Sequence, residues 1–132
     1  MNEFLWPVRV YYEDTDAGGV VYYANYLKFM ERARTEWLRE LGFEQDELIT
    51  QHKVLFAVRR VELDYRQPAR FNDALTVSVK VVETGKASLT FAQSIRRESD
   101  KLLLCDGQVK IASLDAERFK PRSIPSALQE KL

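Results

Sequence analysis

The sequence predicts an α+β fold in which one long central helix is wrapped by a curved, mostly antiparallel sheet of about five strands. Three observations predict it. Residues 23–41 hold no Gly or Pro, and apolar side chains recur at Tyr26, Phe29/Met30, Ala33, Trp37 and Leu41, which is the spacing of one helix face. After residue 53 the chain runs through strand-like segments that alternate apolar and polar side chains. Short turn-forming groups join those segments, and strands joined by hairpins pair antiparallel. A helix of about 19 residues is ~28 Å long, close to the width of six strands at ~4.8 Å each, so one helix suffices to cover one sheet face.

Residues 4–12 alternate, with Val8, Val10 and Tyr12 on one face and Arg9 and Tyr11 on the other, and predict the first strand. Pro7 near its start suits an edge or a strand beginning. In the helix that follows, Asn25 is the candidate N-cap, and Gly42 is a natural stop, because the left-handed residue after a helix is most often glycine. Residues 43–53 are polar with a few apolar anchors and predict a short second helix. Residues 54–65 alternate, but the apolar phase slips from Phe56 and Val58 to Val61, Leu63 and Tyr65. A bulge near Arg59 and Arg60 accounts for the slip. Leu75, Val77, Val79 and Val81 mark the next strand, Thr84-Gly85-Lys86 a hairpin turn, and Leu89, Phe91 and Ile95 the strand after it. Ser99-Asp100-Lys101 is a second turn, leading into a strand over 102–114; the proline-bearing tail after Lys120 predicts one helical turn. With no repeat or linker, one domain over residues 1–132 is expected. Open edge strands predict self-association.

Twenty basic residues balance twenty acidic ones, which leaves no long-range field to draw nucleic acid. Cys105 is the only cysteine, so an intrachain disulfide and a cysteine-rich metal site are excluded, and its place among leucines reads as core. His52, the only histidine, sits in a polar stretch and reads as a solvated side chain. Gly-x-Ser-x-Gly and Gly-x-x-x-x-Gly-Lys patterns are absent, which argues against a serine hydrolase and a nucleotide loop. The first ten residues lack the basic and apolar regions of a signal peptide, and no run approaches the ~20 apolar residues of a membrane span. A cytoplasmic address is expected.

The chemistry concentrates where the first strand becomes the helix, in YYEDTDAGGVVYYANYLKF. Asp and Gly are common turn formers, and acids suit a helix N-terminus, so a tight turn explains much of the stretch. Paired glycines, however, let the backbone approach another molecule closely, and the helix behind them opens with N–H groups that lack partners. A carboxylate beside such donors can run acyl transfer. Asp14 fits an Asx-turn and Glu13 a solvent-facing position.

The stretch YYEDTDAGGVVYYANYLKFMERART resembles the signature of the YbgC-type acyl-CoA thioesterases, relatives of 4-hydroxybenzoyl-CoA thioesterase in the hotdog superfamily. The similarity is dense from residue 8 to 41 and looser through VRRVELDYRQPARFNDALTV and TGKASLTF. The resemblance implies a hotdog fold and hydrolysis of an acyl-CoA to a carboxylic acid and free coenzyme A. It places the catalytic carboxylate on Asp16, as nucleophile or general base, and the carbonyl-polarising donor on the backbone N–H of Tyr23. It also implies nucleotide contacts at Lys86 and Ser88, a homodimer or homotetramer with sites at the subunit boundary, and no cofactor. Tyr23 stands where many members linked to the Tol–Pal operon carry His, and Asn72 where relatives often have Gly. The backbone donor survives the first change, and the second alters only a turn. A non-catalytic module binding acyl groups or acyl carrier protein is the rival reading. Arg59, Arg60, Arg70, Arg96 and Arg97 are further candidates for coenzyme A phosphates. The helix charges Glu31, Arg32, Arg34, Glu36 and Arg39 predict i,i+3 and i,i+4 pairs.

Overall fold

The computed structural model describes residues 3–132; Met1 and Asn2 lie outside it. The long helix α1 spans Asn25–Glu40 and buries Tyr26, Phe29, Met30, Ala33, Arg34, Trp37 and Leu38. Five of these seven are the apolar face expected from their spacing, and Leu38 widens it. Arg34 is the exception. The helix ends in a Schellman motif: Phe43 N–H donates to Leu38 O (2.9 Å), Gly42 N–H to Arg39 O (2.9 Å), and Gly42 adopts φ 94°. The expected stop at Gly42 is therefore made by the glycine's conformation.

Five strands, β1 (Phe4–Arg9), β2 (Val54–Tyr65), β3 (Ala74–Thr84), β4 (Ser88–Arg97) and β5 (Leu103–Asp115), form one sheet in the order β1-β3-β4-β5-β2. Every pairing is antiparallel. The hotdog fold expected from the sequence is present, with β1 and β2 as its edges. Pro7 lies on the β1 edge, where its missing N–H leaves no bond to β3 unmade that the sheet interior would need. The β2 register with β5 shifts between Val58 and Arg60, so the extra residue is Arg59, as the phase slip required. Leu75, Val77, Val79, Leu89, Phe91, Ile95 and Val109 join the α1 face in one apolar cluster. Trp37 meets Phe91 edge-on at 5.1 Å. Each fully buried side chain of this size stabilises the fold by roughly 1.5–3 kcal/mol.

Helix α2 (Gln45–His52) anchors through buried Leu48 and turns into β2 through Lys53, whose φ is 58°. Asn72, in the position of the expected Gly, also takes the left-handed region (φ 68°), which Asn tolerates better than most residues. The tail folds back along β5 through a Leu114–Pro121 bridge and ends in α3, the single turn Ser126–Gln129. No helix among the described residues is long and apolar enough to cross a membrane.

Candidate active site

The join between β1 and α1 is built by backbone and carboxylate bonds rather than by alternation. The strand stops at Arg9, three residues before the expected end at Tyr12. Val10 N–H still donates to Asp73 O (2.9 Å), but Tyr11 N–H turns to Asp14 Oδ2 (2.8 Å), and Asp14 N–H returns to Tyr11 O (3.0 Å). That exchange curls Tyr12–Asp14 into one 3-10 turn with the Asp14 side chain buried. Asp14 thus holds the loop.

Asp16 opens a small hairpin. Its N–H donates to Val20 O (2.9 Å), Gly19 N–H donates to Asp16 O (3.1 Å), and Thr15 bridges Val21. Gly19 closes the loop at φ 78°, a conformation that other residues adopt at a cost. The exposed Asp16 carboxylate accepts from Gly18 N–H through Oδ1 (2.8 Å), and Oδ2 has no hydrogen-bond partner among the described residues. The hairpin docks on the segment after β2 through a Val20–Arg70 bridge and a bond from Val21 N–H to Ala69 O (2.9 Å).

The chain then returns to Asp14, whose carbonyl accepts from both Tyr22 N–H (3.0 Å) and Asn25 Nδ2 (3.0 Å). Asn25 is therefore not the N-cap expected from the sequence. It is the first helical residue, and its amide clamps the loop while Ala24 takes the cap position. The Tyr23 and Ala24 N–H groups have no acceptor among the described residues. Tyr65 Oη donates to Tyr23 O (3.1 Å), and the Tyr65 ring stands edge-on to Tyr23 (6.4 Å) and Tyr26 (5.4 Å). Burial raises the Tyr65 hydroxyl above the ordinary phenol range, so it remains a donor at neutral pH. Tyr26 Oη accepts from Ala69 N–H (3.0 Å), fixing the first turn of α1 against the loop that carries the hairpin.

Lys86 and Ser88 lie elsewhere. Gly85 N–H donates to Ser88 O (2.8 Å), and Lys86 O accepts from Ile124 N–H (3.1 Å), which ties the β3–β4 turn to the tail. Lys86, His52 and Arg122 line a groove there; His52 is half-buried rather than freely solvated. Arg122 is committed to Asp115 Oδ2 (3.0 Å). β4 runs the length of the sheet between Ser88 and Arg97, ~30 Å at ~3.3 Å per residue. Arg97 pairs with Asp73 (3.1 Å), beside the join. Within one chain the expected acid and the expected nucleotide contacts therefore stand at opposite ends of the sheet. Among the other cations, Arg97 is held by Asp73, Asp100 and Pro68 O, and Arg60 faces Glu62 (3.5 Å).

Two residues escaped the sequence. Tyr65 read only as one face of an alternating strand. Arg34 read as half of a surface ion pair, yet it is 9% exposed and bonds Gln93 Oε1 (2.9 Å). Its position four residues after Met30 and four before Leu38, both buried, was the available signal. Of the expected helix pairs, Arg39 does bind Glu36.

A profile described as the thioesterase-like superfamily matches residues 10–132. The chain is 44% identical over 128 residues to the acyl-CoA thioesterase YbgC of Haemophilus influenzae, covering 97% of this chain and 93% of that one. It is 44% identical over 125 residues to the acyl-CoA thioester hydrolase YbgC of an Escherichia coli strain, covering 95% and 92%. A probable thioesterase from Bartonella henselae superposes with a TM-score of 0.88 at 34% identity, covering 94% of this chain and 100% of the other.

Proposed function

Since the chain belongs to the thioesterase-like superfamily and, within it, to the YbgC group of thioester hydrolases, we propose that it hydrolyses an acyl-CoA to a carboxylic acid and free coenzyme A, with Asp16 as the carboxylate and Tyr23 N–H as the oxyanion donor. The observation that carries this assignment is the Tyr23 N–H just before α1, which has no acceptor among the described residues, in a loop clamped by Asn25 and Asp14. A donor already in place, with no partner to lose, stabilises the charge that develops on a thioester oxygen at no reorganisation cost. Asp16 either attacks the carbonyl carbon, expelling the thiolate and leaving an anhydride for water to cleave, or removes a proton from the attacking water. The thiolate leaves without a general acid because thiols ionise near pH ~8.5.

The open β2 edge supports including a second copy in the reading. β2 is a twelve-residue edge with Val58, Val61 and Tyr65 exposed. Antiparallel pairing of two such edges sets the Val54 end of one chain beside the Tyr65 end of the other. Lys86 and Ser88 of one copy would then approach the Asp16 hairpin of its partner, which would account for the separation found within one chain. Homodimerisation through β2 belongs to this proposal.

Thiol release measured over a panel of short, long and aromatic acyl-CoAs tests the activity, and binding without thiol release would favour the non-catalytic module. Asp16→Asn is expected to lower kcat by about a hundred-fold or more with little change in Tm. Turnover like that of the unmodified protein would remove the mechanism. Single turnover in oxygen-18 water distinguishes the two roles: label enters Asp16 only if Asp16 attacks.

A further inference from the structure

Between α1 and the sheet lies a cavity of about 220 Å³ whose walls include Trp37, Phe56, Phe91 and Ile111, with Arg34 inside and Glu31 at the rim. Leu38 and Val58 complete its apolar lining, and Gln45 joins Glu31 and Arg34 as its polar part. Arg34 has five N–H donors, and one of them, on Nη1, bonds Gln93 Oε1 at 2.9 Å. The Gln93 amide cannot turn away, because its Nε2 donates to Met30 O and Ser78 O, both at 3.2 Å. Among the described residues, no carboxylate lies within ion-pair distance of Arg34. The one described side-chain polar atom sealed from solvent without a partner is Ser113 Oγ, so the free guanidinium donors are not sealed; they open onto the cavity.

Leaving a cation this deep with one neutral partner is costly. Burial lowers its pKa, Glu31 opposes that shift, and a guanidinium stays charged at neutral pH in either case. A cleft with apolar walls at Trp37, Leu38, Phe56, Phe91 and Ile111 and fixed donors at Arg34 suits a ligand that is apolar along part of its length and carries an oxygen acceptor at its end. At seven or so water volumes of ~30 Å³ each, the space suits a short acyl group.

Resting on the thioesterase reading above, we propose that Arg34, oriented by Gln93, selects acyl groups whose far end bears a hydroxyl or carboxylate oxygen. The path is the edge pairing proposed above. Phe56 and Val58, which border the cavity, lie near the Val54 end of β2. That end meets the Tyr65 end of a second copy, where Tyr65 Oη holds Tyr23 O. The acyl group activated at one helix tip thus extends into the chamber of the other chain.

The test compares three six-carbon esters by thiol release: hexanoyl-CoA, 6-hydroxyhexanoyl-CoA and adipoyl-CoA. The unmodified protein is expected to favour at least one oxygen-ended ester over hexanoyl-CoA by about ten-fold or more in kcat/KM, because a donor left unpaired by the methyl end penalises that substrate. Arg34→Met should bring that ratio to about one. Hydroxyl preference over carboxylate would point to Glu31 as a second contact, and either preference supports the proposal. A ratio near one in the unmodified protein overturns it, as does a ratio that survives in Arg34→Met. Should Arg34→Met not fold, Phe56→Trp, which narrows the cavity from the edge strand, must also flatten the ratio. Thiol release from all three esters without discrimination overturns the selectivity alone, whereas release from no acyl-CoA of any kind overturns the hydrolase reading beneath it.

Discussion

Gly107 on β5 is where the fold tolerates least. A Cβ added there would stand 1.9 Å from Glu62 O, 2.9 Å from Glu62 C and 2.8 Å from Leu63 Cδ2. Leu63 is its direct partner on β2. Ordinary contact begins near 3.4 Å, so the β2 backbone must retreat by more than 1 Å, and a displacement of that size breaks ladder hydrogen bonds. Overpacking that a side chain could absorb costs about 1–3 kcal/mol, and moving a strand places Gly107→Ala at or above the top of that range. For a chain of this length, ~3 kcal/mol corresponds to a fall in Tm of roughly 10 °C. Thermal unfolding followed by circular dichroism reads it directly. Gly85→Ala is the control, since its Cβ meets the Ser88 hydroxyl at 2.5 Å, a group that rotates; a loss below ~1 kcal/mol is expected there. A Gly107→Ala Tm within 2–3 °C of the parent would show that β2 and β5 part freely, and would refute the tight crossing.

Alkaline stability follows from burial. Cys105 is pushed from 9.0 up to about 12, chiefly by desolvation, and Tyr26 and Tyr65 are raised above 10.0 for the same first reason. Their neutral forms are favoured in the fold, so the stability they contribute is complete below the unfolded pKa values and is lost as pH rises through the folded ones. For Cys105 that loss falls between pH ~9 and about 12. Urea unfolding of Cys105→Ala against the parent should show a shallower decline over this window, and parallel curves would contradict the assignment. Gly19→Ala should cost about 1–2 kcal/mol through its positive φ alone, because nothing lies within 4 Å of the new Cβ, and Gly19→Asn should recover part of that loss in the same melting assay. Tyr65→Phe removes the bond to Tyr23 O and is expected to lower kcat about ten-fold with Tm within ~2 °C of the parent, since an exposed hydrogen bond contributes little to stability; unaltered turnover would detach Tyr65 from the site.

Periodic features were readable in advance because burial writes them at every turn or every second residue. The α1 face and the Arg59 bulge have that character, the Gly42 stop was legible instead from glycine's ease at positive φ, and each is found where it was expected. The join was less readable. A single contact between Tyr11 N–H and Asp14 Oδ2 ends β1 at Arg9, although alternation continues to Tyr12. Asn25 has the composition of a cap, but two chain segments meeting at Asp14 O give its amide a better acceptor. Arg34 escaped because a charged residue on a helix is most often solvated, and only the three-dimensional contact with Gln93 reveals otherwise. Separation of Lys86 from Asp16 along β4 was likewise invisible, since sequence motifs carry no direction across a sheet.

The two sheet borders differ in a way that limits assembly. β2 offers twelve residues of open backbone, whereas β1 offers six and has Pro7 among them, which carries no N–H to donate. Two chains joined through β2, as proposed, would consume both long borders and turn only the short, interrupted ones outward. In the proposed dimer the borders left outward would be poor templates for a third chain, which would disfavour growth into a fibre.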